Sequence, residues 1–291
     1  MNYVEQFLDF CQYQRSLSEN TVNGYRWDLK IFMEWLKDKD LDVIMVKIRD
    51  IDSFIISLRK AGKSIQTVNR KIYALKMFYR YLQRIEVLDR NPLDFIKNIR
   101  RPKLLPKYLT EDQQKALLKV SVDGYKDHPN KWGSWLKDRD RLLILVLLDT
   151  GLRINEVCSM KKTDINLKEG ILRIIGKGGK EREIILSDRC IEAIKGIPPN
   201  GSEEILFFNQ WKKHLNSRHA FRIVKEIGRK AGIASLHPHL LRHTYASNLR
   251  RKGADLLLIK EALGHSSVTS TEIYAHIGGQ EYKERLRALI N

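Results

Sequence analysis

The chain has 291 residues, 43% of them apolar, with 53 Lys and Arg against 35 Asp and Glu, for a net charge of +18. That length holds two domains with ordinary cores, and that charge draws a protein to polyanions, nucleic acid being the commonest. The longest apolar run, Leu142 to Leu148, is far too short to cross a bilayer. Met1 to Phe10 lacks the hydrophobic block of a secretory leader, and Cys11, Cys158 and Cys190 form no Cys-x-x-Cys pair. The expectation is a cytoplasmic protein with reduced thiols and no membrane partner.

The first hundred residues read as helices. Val4, Phe7, Leu8 and Cys11 recur at helical spacing. Ser18 is placed to cap a helix through Leu36, with Val22, Tyr25, Leu29 and Phe32 on one side. A third helix covers Asp50 to Lys60, ended by Gly62. Ser64 caps a fourth, with Val68, Ile72, Leu75, Phe78, Tyr79 and Leu82 as its buried stripe. The pattern predicts a four-helix bundle whose aromatics are core. The charges Arg70, Lys71, Lys76, Arg80 and Arg84 fit either a groove that follows a phosphate backbone or a solvated face.

Pro102 and Pro106, among Arg100, Arg101, Lys103 and Lys107, exclude a continuous helix. The expected division is therefore a helical domain over 1–98, a basic linker over 99–108, and a second domain over 109–291. Thr110 with Gln113 is a capping box opening that second domain. A buried helix follows over Arg141 to Leu148, ending at Thr150-Gly151. Short strands are expected at Ile165 to Leu167, Ile171 to Ile175 and Glu183 to Leu186, the last two as a hairpin, with another at Glu203 to Phe208. Helices then cover Ser217 to Ala231, Pro238 to Lys252, Asp255 to Leu263 and Val268 to Ala275. The fold class is mainly α, a helical bundle plus a mainly helical domain with a small antiparallel β-sheet.

Six polar residues of the second domain make sense together around a phosphate: Arg153, Lys177, His239, Arg242, His265 and Tyr274. Transesterification of a phosphodiester builds negative charge on a pentavalent phosphorus. Arginine suits that charge, because its planar fork grips two oxygens and keeps its proton. A phenol with an ordinary pKa of about 10 needs nearby positive charge and a base to attack at neutral pH. His239 lies three residues before Arg242, on the same helical face, and is assigned as the base. His265 then donates to a non-bridging oxygen, with the two roles open to exchange. Lys177 and Lys180, in a glycine-rich turn, are both candidates to protonate the 5′-oxygen leaving group. The covalent intermediate keeps the bond energy, so neither a nucleotide cofactor nor a metal is required. A zinc reading of His237, His239 and His243 is disfavoured, since Leu240 stands where a His-Glu-x-x-His helix has its glutamate and Arg242 lies between two of the histidines. His243 is expected to be a partly buried structural histidine.

The segments carrying these residues are Thr150-Gly151-Leu152-Arg153-Ile154-Asn155-Glu156, Gly176-Lys177-Gly178-Gly179-Lys180, His239-Leu240-Leu241-Arg242-His243, Leu263-Gly264-His265 and Ile273-Tyr274-Ala275-His276. In order and spacing they resemble the tyrosine recombinase/integrase family, most closely its compact Xer-type members. The resemblance implies Tyr274 as nucleophile and favours Lys177 as the acid. It implies a C-shaped clamp on double-stranded DNA and four protomers, homo- or hetero-tetrameric, on two duplexes. Strands would then exchange through a Holliday junction, in chromosome-dimer resolution or in mobile-element integration and excision. An accessory protein is a further possible partner. It also implies that the amphipathic segment Leu286 to Ile290 contacts a neighbouring protomer, the alternative being packing within its own subunit. Ser121 to Gly133 is longer than the compact pattern, and its Trp132, with Trp135 just beyond, can pack or touch DNA. A type IB topoisomerase with the same cleavage chemistry and a non-cutting DNA-binding regulator are the competing readings.

Overall fold

The computed structural model describes residues 2–100, 107–123, 133–175, 181–197, 205–211, 213–264 and 279–290. The chain divides into two compact units, Met1–Leu104 and Leu105–Asn291.

In the first unit, α1 (Tyr3–Asp9) runs into a π-type turn over Phe10–Gln14, followed by α2 (Glu19–Asp38), α3 (Ile48–Lys60) and α4 (Ile65–Arg84). Ser64 caps α4, its Oγ accepting the Thr67 amide at 3.2 Å. Ser18 occupies the corresponding position on α2 but spends its hydroxyl on Thr21 Oγ1 instead. The predicted stripe of α4 is buried throughout, against Phe7, Leu29, Phe32 and Phe54. Several rings meet edge to face, as in Phe7–Phe78 and Phe32–Phe54, an arrangement their quadrupoles favour.

The basic run on α4 needs correction as a possible phosphate-facing groove. Lys71 is buried, with Nζ 2.7 Å from Asp28 Oδ1 on α2, and Arg70 holds the other oxygen of the same carboxylate. Lys76 donates to the Ile96 carbonyl. Only Arg70, Arg80 and Arg84 of the five are exposed. Lys71 sits between Val68 and Leu75 on the apolar face, so its burial follows from helical phase. Beyond the bundle, Asn69 exchanges two hydrogen bonds with the backbone of Ile99, both at 2.9 Å, holding the chain to α4 up to that point.

In the second unit, Thr110 and Gln113 cap each other's backbone and open α5 (Glu111–Asp123). α6 (Gly133–Thr150) carries the wholly buried run Leu142 to Leu148 and begins earlier than Arg141. After α7 (Ile154–Cys158) come β1 (Ile165–Asn166), β2 (Ile171–Ile175) and β3 (Glu181–Ile185). They form one antiparallel sheet in that order, with Ile171 opposite Ile185 and Ile175 opposite Glu181. α8 (Asp188–Lys195), α9 (Ser217–Lys230), α10 (Pro238–Arg251), α11 (Leu256–Leu263) and α12 (Gly279–Ile290) complete the unit.

The strand expected at Glu203 to Phe208 does not form within its described part. Isolated bridges pair Lys161 with Ile205 and Phe208 with His214. Leu206, Phe207 and Phe208 are all buried in succession, which the two-faced alternation of a strand with one wet side does not allow. Two short helices, α7 and α8, stand where no helix was expected. α12 packs on its own chain, with Leu286 buried among Leu249, Leu258 and Ile259, and with Arg285 paired to Asp255 and Lys283 to Glu183. Among the described residues no helix is long and apolar enough to cross a membrane. The expected helix Val268 to Ala275, the residues 124–132 and the side chain of Trp135 lie outside the described residues.

Candidate active site

Three of the six predicted residues, Arg153, His239 and Arg242, lie within the described structure, and the fold brings them together. Lys177, Lys180, His265 and Tyr274 lie outside it.

The floor of the site is the end of α6. Gly151 stops that helix with φ +62°, a conformation that suits glycine. A Cβ there would stand 2.5 Å from the Tyr245 ring and 2.9 Å from Leu263. α6 can therefore end flush against α10 and α11. Two residues on, Arg153 leads into α7, where the carboxylate of Glu156 accepts its backbone N–H at 2.7 Å and its Nη1 at 3.1 Å. The Arg153 guanidinium thus points along a fixed acidic support while its side chain stays 41% exposed.

Arg242 comes from α10. That helix begins sharply: Pro238 occupies its first turn, and the preceding His237 accepts the Leu240 amide on Nδ1 at 3.1 Å. Arg242 is 7% exposed. Nη1 donates to the Gly151 carbonyl at 2.6 Å and Nη2 to the Leu263 carbonyl at 2.7 Å, so one side chain ties the end of α6 to the end of α11. Among the described residues no carboxylate forms an ion pair with it. Burial, and then the neighbouring Arg153 charge, pull its pKa down to about 10, still far above neutrality.

His239 is exposed in the first turn of α10. Its pKa lies below the ordinary histidine value, through desolvation first and then through Arg242, His243 and Arg153. The imidazole is consequently neutral at neutral pH, with a nitrogen free to accept a proton. The positive end of the helix dipole acts in the same direction and favours an anion nearby. His243 is exposed rather than partly buried, since one residue past Arg242 turns about 100° around the helix, away from the core. Among the described residues no three His, Cys, Asp or Glu side chains gather as a metal site would require.

Two further residues belong to this cluster. Glu156 was visible three residues after Arg153 but had no role assigned. Arg182, on β3, reaches the same carboxylate, with Nη2 3.0 Å from Glu156 Oε2. Two guanidiniums thus bind one carboxylate, with Arg242 close enough to feel all three charges, an arrangement with surplus positive charge that an anion would complete.

Residues 107–281 match the phage integrase family, and residues 4–86 match the phage integrase N-terminal SAM-like domain. The chain belongs to the tyrosine recombinase/integrase family. It is 31% identical to the tyrosine recombinase XerD of Oceanobacillus iheyensis over 97% of this chain and 95% of that one. With the tyrosine recombinase XerA of Pyrococcus furiosus it shares 34% over 97% and 91%. A solved XerH recombinase, bound to a palindromic difH substrate in a post-cleavage complex, is 26% identical with a TM-score of 0.72, covering 97% of this chain and 83% of that one. The protein is thus a Xer-like, DNA-binding enzyme that breaks and rejoins DNA strands.

Proposed function

We propose that this recombinase cuts each strand through Tyr274, forming a 3′-phosphotyrosyl bond and releasing a 5′-hydroxyl, and then rejoins the phosphate to a different 5′-hydroxyl. The observation that carries the assignment is the buried Arg242, held by two carbonyl oxygens and, among the described residues, in an ion pair with no carboxylate. An isolated buried guanidinium is costly unless an anion joins it. Two of its five N–H donors are committed to the backbone, and donors without a partner among the described residues can serve phosphate oxygens. Arg153, propped by Glu156, supplies the second fork. His239, neutral and beside both arginines, takes the phenol proton. Lys177 protonates the leaving oxygen, and His265 donates to a non-bridging oxygen.

On this reading the chain divides as the sequence suggests, with 1–98 and the linker 99–108 binding DNA and 109–291 cutting it. Four protomers join two duplexes and pass through a Holliday junction, with the chain acting in the cytoplasm. The test is a duplex nicked beside the cleavage position, which lets the 5′-fragment diffuse away and traps the covalent complex. Wild-type protein should give a protein–DNA band that survives denaturant. Tyr274→Phe should bind equally and give none. A wild-type protein that binds its site tightly and yields no such band would overturn the assignment. Efficient relaxation of supercoiled plasmid lacking any cognate site would instead favour a topoisomerase.

A further inference from the structure

Arg182 serves the arginine site in a way that neither its sequence context nor the six-residue constellation indicates. It stands on β3, the strand that follows the connection containing Lys177 and Lys180. Its Nη2 donates to Glu156 Oε2, which also accepts the Arg153 backbone N–H, while Arg153 Nη1 is on Oε1. The guanidinium packs closely against Gly264. A Cβ at that position would come within 2.8 Å of Nε and closer still to Cζ and Nη1. Gly264 ends α11 in the left-handed region, φ +63°, directly after Leu263, whose carbonyl anchors Arg242. Two requirements, positive φ and the absence of a side chain, therefore converge on one glycine.

The Arg182 Nε is buried and has no hydrogen-bond partner among the described residues. An unsatisfied buried donor works against stability. So does the proximity of Arg182 to Arg242, where its charge opposes that of the buried guanidinium. A side chain kept in place against both costs is expected at a functional site.

We propose that Arg182 is a positioning residue for strand cleavage: by sharing Glu156 with Arg153 and closing on Gly264, it locks the β2–β3 hairpin to the arginine pair and to the end of α11. The hairpin supplies the candidate acid, and Gly264 immediately precedes His265. One planar side chain therefore sets the register of elements that must meet at a single phosphate. Lysine cannot replace it, because an ammonium lacks the flat fork that fits between Glu156 and a bare glycine.

The inference rests on the cleavage reading above, and the experiment separates the two. Single-turnover cleavage of the nicked duplex would be measured at saturating protein, below the thermal midpoint of each variant, with DNA affinity measured in parallel. Arg182→Gln and Gly264→Ala should each slow cleavage about 10- to 100-fold, the range typical of residues supporting a reactive group, a loss that persists at saturating protein and exceeds any change in DNA affinity. The double variant should be less than about two-fold slower than the slower single one, since both remove the same contact. Independent structural damage would multiply instead. Should Arg182→Gln be unfolded at the assay temperature, Arg182→Lys keeps the charge, and slow cleavage is expected of it. Cleavage by a folded Arg182 variant within two-fold of wild type, or multiplicative losses in the double variant, would overturn the proposal. Failure of the wild type to form any covalent complex would overturn the cleavage reading instead.

Discussion

Lys71 in the first unit and Arg242 in the second are both buried cations, and they are satisfied in opposite ways. In the first, Lys71 meets Asp28 at 2.7 Å, with Arg70 on the other carboxylate oxygen. The buried ammonium faces a carboxylate directly, and the cluster ties α2 to α4. In the second, Arg242 is bonded to carbonyl oxygens of Gly151 and Leu263, which orient the guanidinium without cancelling its charge. A neutralised buried ion belongs to the architecture. One that is oriented and left positive is prepared for a ligand.

The comparison is broken most forcefully by Asp28→Ala, which strands Lys71 as an unpaired buried charge. We expect the first unit to lose about 3–5 kcal/mol, read as a lower denaturation midpoint, with single-turnover cleavage by the remaining folded protein little changed. Arg242→Ala should show the inverse profile. Cleavage should fall about 100- to 1000-fold, equivalent to about 3–4 kcal/mol of transition-state stabilisation, and Arg242→Lys should not restore it, because an ammonium cannot span two carbonyls and a phosphate. A folded Arg242→Ala variant that cleaves within a few-fold of wild type would remove this side chain from the chemistry.

The smallest effect is that of pH. His239 must be neutral to accept a proton, and its pKa is depressed. Cleavage should therefore rise with pH through an apparent pKa below the ordinary value of about 6.5 and level off above it. His219 and His237 are depressed too, chiefly by desolvation. With all three binding protons more readily when unfolded, stability should increase with pH across the same acidic window and be flat above it. Chemical denaturation at a series of pH values reads this directly, and His239→Gln should flatten the cleavage profile.

Local signals were the legible ones. Ser64, the Thr110–Gln113 box and the α4 stripe each act within a helical turn, and each stands where periodicity and capping rules put it. Arg153, His239 and Arg242 were recognisable because their residue types are rare in combination, although only the fold shows that Arg242 reaches Gly151. Lys71 carried a signal that was outweighed: its phase with Val68 and Leu75 placed it on the apolar face, while its charge argued for solvent. Arg182 carried no local signal at all. Its meaning depends on Glu156 and Gly264, respectively 26 residues earlier and 82 later in the sequence, and nothing in an alternating strand pattern distinguishes it from the exposed Arg173 opposite Glu183. The strand that does not form over 205–208, the described part of the expected 203–208, marks the converse limit, since consecutive apolar residues fit a strand and a buried loop equally well.

Burial of the sulfur atoms has a practical consequence. Cys11, Cys158 and Cys190 are free thiols hidden in the cores, and desolvation pushes them to about 11, 12 and 12. Alkylating reagents react with thiolates, so the three native cysteines are expected to contribute little background labelling. A cysteine introduced at the exposed Ser53 or Lys225 would accept a single fluorophore without any native sulfur being replaced, leaving each unit's motion on a DNA duplex open to direct optical tracking.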